Sequence, residues 1–327
     1  MDSGNIDSAK PQLNACSREL TNDNAAFDTA PPSIPAARQR WKHTLKKKIS
    51  ASILPLAKYI ARPYVGGETL DDALCVSDRL ALENLPSTLG FWDTADDSAR
   101  QVAEIYLAVI DSLSAVRRDS YISIKPPALR FDPALALELA AAAQTPGIRL
   151  HCDSHGPEVA DYSNAMIETM LNRIKAHSLG TTLPGRWSRS LRDADWAIER
   201  GLNIRVVKGQ WPDPHDSLRD PATGFLEVID RVVGRVPCIA VATHDVRLAS
   251  EAITRIRASG TPYELELLFG SPYKPLLNWA RQHGVKARIY VPFGGGFVPN
   301  AINVVRQNPR LAWTIAKDRL KAVIRLE

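Results

Sequence analysis

No stretch of this 327-residue chain approaches the roughly 20 uncharged apolar residues that a membrane-spanning helix needs. The opening residues, Met1-Asp-Ser-Gly-Asn-Ile-Asp7, lack the basic and apolar blocks of a secretory signal, so none is expected. Cysteine is sparse. Cys16, Cys75, Cys152 and Cys238 are scattered without a CxxC pair, which argues against a disulfide framework or a zinc cluster and for reduced thiols in a cytoplasmic protein. The glycine-rich GxGxxG turn is missing too: the first strand-like run ends in Trp92-Asp-Thr-Ala-Asp-Asp97. Nor does an aromatic platform or DNA-reading motif accompany the basic segment Arg38–Lys48, the source of much of the net charge of +5. That segment reads as a solvated helix face. Nucleic acid is not expected as a partner, and a peripheral membrane contact stays open.

What is present is rhythm. Residues 1–36 are rich in Asn, Asp, Ser, Ala and Pro and bury little, so a disordered or loosely packed arm is expected there. Residues 37–85 read as N-terminal helices, one basic and reaching about residue 61, another over Glu68–Asn84 with Thr69 or Asp71 near its start. From 86 to 327 strand-like runs alternate with helical patterns. The runs are Ser87–Thr94, Ser120–Leu129, Gly147–Ser154, Leu179–Arg186, Asn203–Gln210, Pro237–Asp245, Tyr263–Gly270 and Ala287–Gly294. Most look nearly continuous in apolar character, as parallel strands covered by helices do. A last helical stretch is expected near Pro299. Eight successive units give an α/β fold, a (β/α)8 barrel with an N-terminal helical arm; an open doubly wound sheet is the alternative.

Barrel chemistry gathers at the carboxyl ends of the strands. Those ends hold Asp93, Lys125, Asp153 with His155, Arg186, Lys208 with Trp211, Thr243-His244-Asp245, Glu266 with Phe269, and Tyr290. Lys125 sits in an apolar run, where its charge needs an anion or a route to the rim. Arg205 and Lys208, three apart on one strand, point to opposite sides. One near the interior and one near the mouth suit a large anionic cofactor, which Gly209 lets approach the backbone. A rival reading takes His151, Asp153 and His155, with His244 and Asp245, as ligands of a metal-dependent hydrolase.

Ser123-Ile-Lys-Pro-Pro-Ala-Leu129, Cys152-Asp153, Ile204-Arg-Val-Val-Lys-Gly-Gln-Trp211, Ala242-Thr-His-Asp245, Glu264-Leu-Glu-Leu-Leu-Phe-Gly270 and Arg288-Ile-Tyr-Val-Pro-Phe-Gly294 together resemble the proline dehydrogenase family, in the family's order. Gly66–Leu74 is similar to the segment that precedes the barrel in its monofunctional members. The resemblance covers roughly residues 62–310 and implies FAD and oxidation of a C–N bond of a small amine or amino acid to an imine, with hydride passing to flavin N5. It implies that Arg205 lies near N5, that Val207, Lys208 and Gly209 line the flavin, and that Thr243 and His244 hold its ribityl-phosphate part. It further implies that Lys125 binds the substrate carboxylate, that Asp153 orients the arginines, and that Leu268 and Tyr290 shape the pocket. Quinone or O2 is the implied electron acceptor.

Three departures stand out. The family's paired arginines on the last barrel helix read Val305 and Arg306 here, so Arg306 alone remains of the carboxylate clamp, beside the flavin. The Gln-Ala-Tyr-type motif of the fourth strand is replaced by Thr182-Leu-Pro-Gly-Arg186, and a tyrosine by Trp211. The expectation is a divergent member acting on a modified amino acid or another small amine, with Arg186 and Trp211 in the substrate pocket. Ordinary L-proline oxidation, with Arg186 standing in for the lost arginine, and a barrel that has lost its flavin are the alternatives.

Overall fold

The computed structural model describes residues 65–116 and 119–296. The N-terminal arm, the basic helix, the helix near Pro299 and Arg306 lie outside the described residues.

The described chain starts with helix α1 (Leu70–Leu82), opened by a reciprocal cap in which the Thr69 hydroxyl accepts from the Asp72 N–H and the Asp72 carboxylate accepts from the Thr69 N–H. Ala73, Val76 and Leu80 turn its apolar face inward. Then come β1 (Ser87–Phe91), α2 (Ala99–Ala115), β2 (Ser120–Ile124), α3 (Pro133–Gln144), β3 (Leu150–Cys152), α4 (Ala160–Leu171), β4 (Leu179–Pro184) and α5 (Ser190–Glu199). The second half adds β5 (Asn203–Val207), α6 (Pro221–Val232), β6 (Ile239–Ala242), α7 (Val246–Arg257), β7 (Tyr263–Leu268), α8 (Lys274–Gln282) and β8 (Ala287–Phe293). The eight strands are parallel and close in sequence order, with β8 returning to β1. The closed barrel excludes the open doubly wound sheet.

Side chains alternate across each strand, and the two faces differ in kind. The outward face packs Leu89, Ile122, Leu150, Ile204, Val206, Ile239, Val241, Leu265, Leu267, Ile289 and Val291 under the helices, every one of them fully buried. The inward face carries Tyr121, Ser123, His151, Thr182, Arg205, Glu264, Glu266 and Arg288, also buried. Register sets them level with one another: Ser123 beside His151, Thr182 beside Arg205, Glu266 beside Arg288. The near-continuous apolar character read from the sequence is therefore corrected. One face is apolar and the other charged, because the interior is a hydrogen-bonded network in place of the branched aliphatic layers usual in such barrels.

The strands also end sooner than their apolar runs suggest. Asp93, Lys125, Asp153, Arg186, Lys208 and His244 all lie past the last residue of their strand. At β2 the cause is Pro126-Pro127, which cannot donate to a ladder and begins a short 3-10 turn. The candidate chemistry is thereby moved onto the short loops that ring the barrel mouth.

Candidate functional site at the carboxyl ends of the strands

Arg205, on β5, is the hub. Its Nε donates to Glu266 Oε2 at 2.6 Å and its Nη2 to Glu266 Oε1 at 3.0 Å, a two-pronged fork. Its Nη1 donates to Asp153 Oδ1 at 2.5 Å and to Ser123 Oγ at 3.0 Å. Burial works against this guanidinium, but Glu266, Tyr121 and Asp153 outweigh it and hold its pKa well above the ordinary arginine range. Burial likewise opposes the Glu266 carboxylate, yet Arg205 keeps its pKa below the usual value. Thr88 and Tyr121 donate the remaining hydrogen bonds to Glu266. One cation is thus set between two carboxylates.

Asp153 ties that hub to the next sector. Its Oδ1 accepts from Ser123 at 2.6 Å and its Oδ2 from the Tyr290 hydroxyl at 2.9 Å. Tyr290 reaches it because position 90 is glycine; any Cβ there would collide with the tyrosine hydroxyl. Burial pushes the Tyr290 phenol well above its ordinary pKa, so it stays protonated as a donor. Lys125 lies alongside, its Nζ 3.5 Å from Asp93 Oδ1 and 5.2 Å from the Trp92 ring. Burial pulls its pKa below the ordinary lysine value, opposed by Asp93 and Asp153.

The β4–β5–β6 sector is bare by comparison. Pro184, Val207 and Ala242 are level with one another across the three strands, and Gly209, with φ +94°, follows Val207. A Cβ at position 209 would press to 2.8 Å of Pro184 Cβ, so a side chain there would be strained and would fill the shelf. Lys208, one residue past the end of β5, pairs with Asp245 at 3.2 Å in an exposed bridge. Lys208, Ala242, Thr243, His244 and Asp245 line a cavity of about 470 Å³. His244 Nε2 accepts from the Leu268 N–H, and burial lowers its pKa, so it is neutral. A second cavity, about 550 Å³, opens at the other end of the barrel against Ser77, Asp119 and Lys286 and touches none of these groups.

The predicted residues therefore fall into two neighbourhoods. Lys125, Asp153, Arg205 and Tyr290 form one linked cluster. Lys208, Thr243 and His244 share the rim cavity, with Val207 and Gly209 on the adjoining shelf. Trp211 packs its ring at a tilt against His155, centroids 5.7 Å apart, and accepts through its carbonyl from Trp187 Nε1, closing the β3, β4 and β5 loops together. Leu268 holds His244 through its backbone. The residues of the metal reading are engaged apart: His151 contacts Thr182 in the interior, and His244 is at the rim. Among the described residues no group of three His, Cys, Asp or Glu gathers as a ligand set. Sequence reading gave no site role to Ser123, Tyr121 and Glu266; only Glu266, at a strand end, left a signal.

A closed parallel barrel with this linked charged set at its mouth defines the class: a (β/α)8 protein. The comparisons sharpen that class. The chain is similar to proline dehydrogenase 1 of Bacillus subtilis subsp. natto, 24% identical over 275 residues that make up 80% of this chain and 91% of the relative. It is similar to the proline dehydrogenase of Deinococcus radiodurans, 22% identical over 281 residues, again 80% of this chain and 90% of the relative. Among solved structures it superposes on proline utilization A (PutA) from Bdellovibrio bacteriovorus, inactivated by N-propargylglycine, with a TM-score of 0.68 at 16% identity over 85% of this chain. PutA from Corynebacterium freiburgense gives a TM-score of 0.58 at 16% identity over 89% of this chain. The chain spans about a third of the length of those two PutA chains, 35% of each. No family model matches. The chain resembles the proline dehydrogenases as a divergent relative.

Proposed function

We propose that this protein is a flavin-dependent dehydrogenase that oxidises the C–N bond of a proline-like or modified amino acid, or of another small amine, to an imine. The observation that carries the reading is the linked cluster Arg205–Asp153–Tyr290 with Lys125 beside it, next to a bare shelf with no side chain at Gly209. FAD fits the donor set of this half of the mouth. Val207 and Gly209 would face its ring, and Lys208, Thr243 and His244 would hold its ribityl-phosphate part. Bound there, the flavin supplies the acceptor for the hydride.

The chain's own residues do the rest. Asp153 and Glu266 fix the fork of Arg205, so its charge does not have to reorganise during reaction. Tyr290, protonated and held by Asp153, is a rigid wall and donor. Lys125, less basic through burial, supports a neutral amine beside it more readily than an exposed lysine would. The loss of one clamp arginine to Val305 and the replaced strand-4 motif support a changed substrate shell. Ordinary L-proline oxidation is the second reading, favoured by Arg186, a cation at the mouth whose Nε is buried without a hydrogen-bond partner and which has no ion pair among the described residues.

The test is the spectrum of the purified protein, followed by anaerobic bleaching with L-proline, hydroxyprolines, and N-substituted or esterified analogues. Yellow protein bleached by one of these supports the proposal. Colourless protein that takes up no flavin on reconstitution overturns it, and fast turnover of L-proline at ordinary KM removes the altered specificity.

A further inference from the structure

Lys125 is held at the mouth from behind. The paired register of β2 with β1 ends at Ser123 and Gly90, and that with β3 ends at Ile124 and Cys152. Lys125 is thus the first residue of the loop, and the prolines that follow it, Pro126 and Pro127, have no N–H to carry the pairing further. A backbone N–H left at a buried strand end needs another acceptor. Here it is a side chain of an outer helix: the Lys125 N–H donates to the Tyr106 hydroxyl oxygen at 3.1 Å. The Lys125 carbonyl accepts from the Ala128 N–H at 3.0 Å. Both backbone groups of the lysine are engaged before its side chain begins.

Tyr106 is itself fixed. It lies on α2, fully buried, on the face that holds Val102, Val109 and Ile110. Phe91 meets its ring edge-on, at 90° and 6.4 Å between centroids, and Phe91 rests in turn on Phe293 at 5.4 Å. Burial raises the phenol well above its ordinary pKa, so the oxygen stays a neutral hydroxyl. In the sequence Tyr106 is one more apolar position of an amphipathic helix; packing alone would be served by phenylalanine.

The side chain that this bond aims is largely buried. Asp93, from the β1 loop, is 3.5 Å from its Nζ, and Asp153 and His155 act on it from the β3 loop, with His155 held neutral by burial at a pKa of about 4. The Asp93 contact is long for an ion pair, and the lysine stem is flexible. The backbone anchor is the firmer hold. Resting on the proposed amine oxidation, we infer that Tyr106 is a positioning residue of the site, whose hydroxyl fixes where the Lys125 ammonium stands at the mouth. Without that oxygen the Lys125 N–H loses its acceptor, the end of β2 loosens, and the ammonium moves outward to water. A displacement of about 1 Å is enough to slow a reaction that depends on position.

The test is Tyr106→Phe in the FAD-loaded protein, which keeps the ring and its packing on Phe91 and removes one oxygen. Competitive acetylation across pH, read peptide by peptide in the mass spectrometer, follows each lysine separately. The apparent pKa of Lys125 is expected to rise toward the ordinary lysine value, with the acetylation of Lys208 and Lys286 unchanged as internal references. Anaerobic bleaching by the fastest amine of the panel, L-proline or an analogue, should slow about 10-fold, its pH profile moving with Lys125, while FAD affinity stays within about two-fold. An unmoved Lys125 overturns the assignment, and so does a moved Lys125 with bleaching unchanged. A moved Lys125 in a protein whose flavin no amine of the panel bleaches keeps Tyr106 as the anchor and defeats the oxidation reading. Wild type supplies a second measurement that needs no variant: amide hydrogen exchange at Lys125 should be at least about 100-fold slower than at exposed loop amides, and exchange as fast as theirs overturns the anchor.

Discussion

The two ends of the barrel interior are built from the same residue types and finished differently. At the amino end Arg288 donates Nε to Glu264 at 2.8 Å, Nη2 to Asp119 at 2.7 Å, and Nη1 to the carbonyls of Ser87 and Asp119. Arg149 shares Glu264 and lies 3.5 Å from the centre of the Tyr121 ring, with Arg288 at 4.6 Å from the same ring. Arg288 thus spends four of its five N–H donors. At the carboxyl end Lys125 has one long ionic contact and Arg186 has none among the described residues. The floor holds Arg149, Lys286 and Arg288 on Glu264 and Asp119, although Arg149 Nε, like Arg186 Nε at the mouth, is buried without a hydrogen-bond partner.

The sharpest way to break that contrast is to remove the floor. Arg288→Met takes one of two arginines from Glu264 and leaves Asp119 to Lys286, and is expected to cost about 3 kcal/mol of stability, read from chemical denaturation. Flavin content per folded molecule should be unchanged. A variant that stays stable but loses flavin would show that the floor is part of the site.

His155 gives the next effect, and it depends on pH. Burial holds its pKa at about 4 in the folded protein, against about 6.5 unfolded. Between these values the unfolded chain binds the extra proton, so stability rises with pH across this window and is lost as pH falls from 6.5 towards 4. After discounting for the partly open ring, the loss is on the order of 2 kcal/mol. His155→Gln should flatten the Tm profile between those pH values. An unchanged slope would show that His155 is solvated.

Glu266→Gln acts on the mouth alone. It keeps the shape of the side chain and removes one of the two negative charges on Arg205. With less negative charge beside the ring, a bound flavin should become easier to reduce by about 30–60 mV, equivalent to about 1.4–2.8 kcal/mol for two electrons. The measurement is equilibration against a reference dye. A fall in potential would mean that Glu266 acts by positioning Arg205 and not by its charge.

The sequence disclosed much of this and concealed the rest for a physical reason. All eight strands were legible, because the outward face of each gives a local apolar signal. The lining was not legible. Arg205 meets Glu266 across 61 residues, Tyr121 meets Glu266 across 145, and Arg288 meets Asp119 across 169. Such partners are brought together only by closure of the barrel, and no local period encodes them. Glycine hides its role in the same way: Gly90 looks like a flaw in a strand until Tyr290 is seen to need its space.

The smallest effect discriminates most finely, because it separates a rim pair that is structural from one that competes with a ligand. Asp245 caps α7 by accepting from the Arg247 and Leu248 N–H groups, and its other oxygen holds Lys208. The Leu248 hydrogen bond comes first, and the Lys208 and Arg247 contacts add to it, in keeping its pKa below the usual carboxylate value. Asparagine caps a helix about as well as aspartate, and an exposed ion pair contributes little. Asp245→Asn should therefore change stability by no more than about 0.5 kcal/mol. It does, however, release Lys208 from its carboxylate at the cavity shared with Thr243 and His244. If that cavity takes the phosphate part of the cofactor, FAD should bind a few-fold tighter and riboflavin, which has no phosphate, should not. If both bind as before, Lys208 is only a rim residue, and the contrast between the paired floor and the mouth rests on Lys125 and Arg186.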